Sequence, residues 1–102
     1  MAYYITTNVT LKFGRNASYN DMMAQLAPYM ERHGWKLLLA LQPYVGDLAQ
    51  IFHVWEVAEF DDVRRGLEAC AADPEAHAIL APMPDLLVTE AMQLTVKTPY
   101  SP

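Results

Sequence analysis

A histidine and an indole stand two residues apart in this chain, and a carboxylate sits in an otherwise apolar strand near its end. Ile51, His53 and Trp55 alternate with Phe52 and Val54, so they share one face of a β-rich run. An imidazole there can shuttle a proton near neutral pH, and an indole can stack on an aromatic ligand and donate through its N–H. The same placement suits an imidazole satisfied by the backbone and an indole that is simply core. Glu90 shares a face with Met92, Leu94 and Val96. A carboxyl entering that layer would be desolvated and its pKa raised, which makes it a proton acceptor; at the start of its strand it would instead be solvated or paired with arginine. Cys70 has no cationic neighbour in its helix stripe and gets no role.

These residues need elements to hold them. From Tyr3 to Phe13 the odd positions, including Ile5, Thr7, Val9 and Leu11, oppose Tyr4, Thr6, Asn8 and Thr10, which reads as a strand with two unlike faces. Ser18 with Asp21 resembles a capping box, and Met22, Met23, Leu26 and Met30 repeat near helical period, predicting a helix over Tyr19 to His33 that Pro28 kinks and Gly34 ends. Trp35 to Tyr44 and Leu48 to Val57 form an antiparallel pair around Gly46. Asp61 and Asp62 open a second helix with Phe60, Val63, Leu67, Cys70 and Ala71 as its buried stripe, weakened by Gly66. Asp73-Pro74 restarts a short helix over Glu75 to Leu80, and Leu87 to Lys97 alternates as a fourth strand.

The order is βαββαβ, that of an α+β, ferredoxin-like, four-stranded antiparallel sheet with helices on one face. One domain over residues 1–102 fits the length, and with 53% apolar and 19% charged residues the chain should fold. The uncovered face would carry Tyr4, Thr6 and Asn8 with Leu87, Ala91 and Gln93, too apolar in places to stay wet, which predicts a homodimer.

Seven Lys and Arg, unclustered in a chain of net charge −5, argue against nucleic acid as a partner. A lone cysteine rules out an internal disulfide and a cysteine zinc site and fits a cytoplasmic setting. No signal peptide or membrane span is expected, because Asn8, Lys12 and Arg15 interrupt the first apolar residues. No phosphate-binding glycine loop is present either.

The run Gly34-Trp35-Lys36-Leu37-Leu38, then Gly46-Asp47, then Gln50-Ile51-Phe52-His53-Val54-Trp55-Glu56, then Asp73-Pro74-Glu75, resembles NIPSNAP-type members of the dimeric α/β-barrel superfamily. The resemblance implies two sheets joined face to face as a homodimeric barrel, with a pocket in each subunit between sheet and helices that Trp55 and His53 would line. Barrels of that superfamily include cofactor-free monooxygenases, polyketide cyclases, lactone isomerases and haem-degrading enzymes, so it names no reaction. It makes His77, near where some polyketide cyclases carry a catalytic histidine, a candidate general base if its ring points inward and an ordinary surface residue if not.

The expectation is therefore a cofactor-free, metal-free proton-transfer enzyme of secondary metabolism, acting on a small apolar aromatic or polyketide-like ligand as a cyclase, isomerase or monooxygenase. His53, His77 and Glu90 would be catalytic, and Trp55, Tyr3, Thr7, Ile51, Met23 and Met92 would bind substrate. Met22 and Met30 with Trp35 and Tyr44 either extend that lining or pack the core. The rival is a non-catalytic homodimer that binds a small molecule or a protein. A haem barrel using Asn8, Trp55 and His77 ranks third, because Asn8 falls on the far strand face and His77 lies too far beyond Trp55.

Overall fold

The computed structural model describes residues 1–102, folded as β1 (Tyr3–Leu11), α1 (Asn16–Glu31), β2 (Lys36–Leu41), β3 (Gln50–Val57), α2 (Phe60–Ala72), α3 (Pro74–Leu80), α4 (Met83–Leu86) and β4 (Leu87–Thr95). The sheet runs β2-β3-β1-β4 with every neighbour antiparallel, and the helices lie on one face. This is the α+β, ferredoxin-like arrangement.

Register sorts the helix-side face into three rows. Ile5 stands beside Trp55 and Leu94, Thr7 beside His53 and Met92, and Val9 beside Ile51 and Glu90. The outer rows nucleate two separate buried clusters. One gathers Ile5, Trp55 and Val57 under Leu26, Tyr29, Met30, Trp35 and Ala76; the other gathers Val9, Leu11 and Ile51 under Tyr19, Met22 and Leu86. The polar middle row falls between them.

Local chemistry moved several boundaries. α1 begins three residues before Tyr19, so Ser18 and Asp21 lie inside it and cap nothing; Arg15 at the N-cap makes no side-chain cap bond, and Asn16 instead donates to the Leu48 carbonyl at 2.8 Å. The helix runs through Pro28 and stops before Gly34, whose φ of +90° a side chain would strain. Phe13 lies beyond the end of β1, in the turn, fully exposed. α2 starts at Phe60, where the Glu59 amide donates to Asp62 Oδ2 at 3.1 Å. Phe60 is exposed rather than buried and meets Tyr3 edge-on at 5.9 Å. Pro82 and Pro84 do not merely stop α3: Pro84 occupies the first turn of α4, where its missing amide costs no hydrogen bond.

Two bulges change which side chains face out. β2 slips against β3 between Leu37 and Leu39, so Leu37 faces the helices while Leu39 and Leu41 join Val54 and Phe52 on the open face. β4 slips against β1 between Thr10 and Leu11, which sets Val88 out of step. Leu87 therefore stands beside Leu11 and packs on the second buried cluster, not on the open face with Ala91 and Gln93. The apolar part of that face belongs to β2 and β3, where Leu39 and Leu41 are more than half exposed.

α2 is seated by an indole. Trp35 is buried, and its Nε1 donates to the Asp62 carbonyl at 2.7 Å. The ring lies directly against Gly66: a Cβ there would come within 2.8 Å of both Trp35 Cε2 and Cδ1. Gly66, expected to weaken the helix, is what lets helix and indole meet. No helix is long and apolar enough to cross a membrane.

Candidate functional site

A cavity of about 180 Å³ lies over the middle row, between the two buried clusters. Fourteen residues line it, of which three are not hydrophobic: Thr7, His53 and Glu90. α1 contributes Tyr19, Met23, Leu26 and Met30, α2 contributes Leu67 and Cys70, and the sheet contributes Trp55 and Met92. Trp35 closes the floor with Trp55, their rings edge to face at 5.9 Å.

His53 is held on one side only. Its Nδ1 lies 2.8 Å from Thr7 Oγ1, across the β1–β3 pair, while Nε2 has no hydrogen-bond partner in the chain. Burial disfavours the imidazolium and lowers the His53 pKa, so the ring is neutral at pH 7. The tautomer follows Thr7. If Thr7 accepts the Nδ1 proton, Nε2 offers the cavity a lone pair; if the hydroxyl donates to Nδ1, Nε2 offers an N–H.

Glu90 stands at the mouth, exposed on its outer side. Its carboxyl is nonetheless pushed above the ordinary range by loss of water among apolar neighbours. Tyr19 lines the same cavity. The phenol is buried, its hydroxyl makes no hydrogen bond within the chain, and its pKa is raised first by burial and then by the Glu90 charge. Burial, again followed by Glu90, likewise raises the Cys70 pKa, keeping the thiol protonated with Met30 Sδ 3.6 Å away.

Of the residues singled out in the sequence, His53, Glu90, Trp55, Thr7, Met23 and Met92 meet at this cavity. His77 does not: it is exposed on α3, with Nε2 2.7 Å from the Ala71 carbonyl, because the α3 face turned inward is that of Ala76 and Ile79. Ile51 falls one row along and is packed under the second cluster, and Tyr3 falls one row beyond Ile5, against Phe60. Met22 is core and Tyr44 is exposed in the β2–β3 loop, whereas Met30 and Trp35 do line the cavity. Asn8 projects from the opposite sheet face beside Ala91, so Asn8, Trp55 and His77 do not converge as a haem site would need. Tyr19 was not singled out at all. Its spacing to Met22, Met23 and Leu26 places it on the buried stripe of α1, where a phenol without an obvious partner is itself a signal.

Thr7→Val keeps shape and removes the hydroxyl, leaving His53 Nδ1 without a partner. We expect a loss of about 1–2 kcal/mol, the cost of one buried unsatisfied polar group, read as a lower urea midpoint with an unchanged slope. An unchanged midpoint would mean that the Thr7–His53 contact holds nothing.

A family model described as NIPSNAP matches residues 7–102. A NIPSNAP family protein from Agrobacterium tumefaciens superposes with a TM-score of 0.86 at 20% identity, over 99% of this chain and 92% of its own. A NIPSNAP-like domain protein from Burkholderia xenovorans does so with 0.80 at 17% identity, over 99% and 89%. SnoaB, a cofactor-independent oxygenase from Streptomyces nogalater, gives 0.79 at 19% identity, over 99% and 97%. At these identities the solved structures share the fold with this chain. No curated protein matches it.

Proposed function

This chain belongs to the NIPSNAP family, and from that premise we propose that it is a small homodimeric enzyme, working without a bound cofactor, that transfers a proton on an apolar aromatic or polyketide-like metabolite. The observation that carries this reading is the cavity itself: an apolar chamber whose polar groups are a neutral histidine, its hydroxyl partner and a carboxyl of raised pKa.

In this reading the Nδ1 proton of His53 points at Thr7, and Nε2 takes an acidic C–H or O–H proton from the substrate. The electron pair stays on the substrate as an enolate, whose oxygen accepts a hydrogen bond from the Tyr19 hydroxyl in this reading; Tyr19 lining the cavity supports it. The imidazolium then returns the proton at another carbon, as an isomerase or cyclase requires. An oxygenase would instead let the enolate meet dioxygen; the likeness to SnoaB, a cofactor-independent oxygenase, favours that form. Glu90 orients the substrate at the mouth, and the Met and Trp walls keep the chamber dry. His77 has no part in it.

The homodimer is supported by the open sheet face, where Leu39, Leu41, Phe52 and Val54 form an apolar strip that a second copy would cover. A single-protomer mass at every concentration in light scattering would remove that element.

The test of the chemistry needs no knowledge of the natural substrate. The wild type is expected to speed exchange of the acidic C–H of an aryl 1,3-dicarbonyl for solvent deuterium, followed by NMR, and His53→Gln to lose about 10²-fold or more of that acceleration. Equal rates in the two proteins would overturn the proposal. Binding without exchange would leave a ligand-binding homodimer.

A further inference from the structure

The chamber is both small and open on one side. A dry apolar cavity of about 150 Å³ accommodates benzene, whereas pockets for drug-sized ligands run from about 300 Å³ upward. At about 180 Å³ the space over Thr7 and His53 encloses about one substituted six-membered ring, and anything larger must project through the open side.

The opening has a direction. α2 packs on β3 and α3, so the helix-side face of β4 is left uncovered, with Met92 42% and Leu94 41% exposed; across the gap Leu67 of α2 is 44% exposed. Met92 and Leu67 also line the cavity, so this apolar rim is continuous with its interior. The buried His53 and Tyr19 line the interior, and the exposed Glu90 stands at the mouth. The rim is thus apolar apart from Glu90, while the buried His53 and Tyr19 carry the hydrogen-bonding groups of the interior.

We propose that the site takes an amphiphile, a single-ring phenol or enolisable carbonyl head seated against Tyr19 and His53, with an unbranched apolar tail leaving between α2 and β4 across Leu67, Met92 and Leu94. This rests on the cavity being the reaction site and narrows its substrate from aromatic or polyketide-like compounds in general to monocyclic, tail-bearing ones. The head hydroxyl donates to His53 Nε2, and the tail covers carbon surface that water now touches.

Calorimetric titration of the wild-type protein with 4-alkylphenols from methyl to octyl, their methyl ethers and a fused tetracyclic hydroxyquinone tests this. Affinity should rise about two-fold per methylene, roughly half the gain in free energy of full burial, because the groove covers one side of the chain. Leu94→Ser should flatten that rise while leaving 4-methylphenol unchanged, and O-methylation should weaken binding about ten-fold, as expected for one lost hydrogen bond in a desolvated site. A flat chain-length series in the wild type, or a tetracycle that binds as well as the octyl compound, overturns the proposal. So does Leu94→Ser halving the mass in solution, which assigns the rim to a contact between copies. Deuterium exchange with a flat series sinks this inference alone; a rising series without exchange sinks the catalytic reading alone.

Discussion

Gly66→Ala is expected to cost about 3 kcal/mol, although the same change inside most helices stabilises by up to about 1 kcal/mol through the glycine's lost backbone freedom. The sign reverses because the new methyl would lie within 2.8 Å of two ring carbons of Trp35, and nearer still to its Nε1. The indole cannot retreat cheaply. Its other side is against the first buried cluster, Trp55 stands edge-on to it, and its N–H is committed to the Asp62 carbonyl. Overpacking contributes about 1–3 kcal/mol and loss of that buried hydrogen bond about as much again. Urea denaturation followed by far-UV circular dichroism measures it. A midpoint at or above that of the wild type would mean that the helix simply steps away from the ring. In Trp35→Phe, which lacks the five-membered ring, the same methyl should cost much less; the difference between the two costs is the coupling energy of the pair.

Acidification is expected to destabilise the fold through His53 before the Asp61 and Asp73 carboxylates take part. With its pKa lowered by burial, the native chain binds fewer protons here than the unfolded chain does. The stabilising contribution is therefore complete above the unfolded value of about 6.5 and is lost as pH falls from there toward the native pKa, at up to about 1.4 kcal/mol per pH unit for one proton. Glu90 acts with the opposite sign: its raised pKa favours the native state at low pH, and that contribution fades as pH rises through the native value. The Asp61 carboxyl, held down chiefly by its hydrogen bond from Arg64, and that of Asp73, held down chiefly by the Tyr29 hydroxyl, weaken only below the usual carboxylate range of about 4. Between pH 6.5 and 5 the destabilising part of the slope thus belongs to His53, with Glu90 working against it, and His53→Gln should remove that part. In Glu90→Gln, where the opposing contribution is gone, an unfolding free energy that does not change over this interval would contradict the burial assigned to the ring.

The sheet was legible because alternation is a local property. Once Ile5, Thr7 and Val9 face one way and Ile51, His53 and Trp55 do too, antiparallel pairing brings Thr7 against His53 with no further information. The same parity put Glu90 and Met92 on that face. Parity fails where a residue is inserted: the bulges at Leu38 and Val88 leave no mark in hydropathy, so Leu87 was placed on the wrong side and the apolar strip of β2 went unread. His77 was out of reach for a different reason. Its ring direction depends on how α3 rolls against its neighbours, a tertiary matter in which Ala76, not His77, wins the inward position. The role of Gly66 is not legible because helix propensity is a property of isolated helices and says nothing of the indole alongside.

The edge-to-face pair Trp35 and Trp55 comprises both tryptophans of the chain, and both rings border the cavity. Anything that enters the chamber thus comes to lie beside every strongly emitting chromophore the molecule has. The protein carries its own optical gauge of occupancy, in which filling, emptying and wetting of one small space are all written into a single fluorescence band without any label.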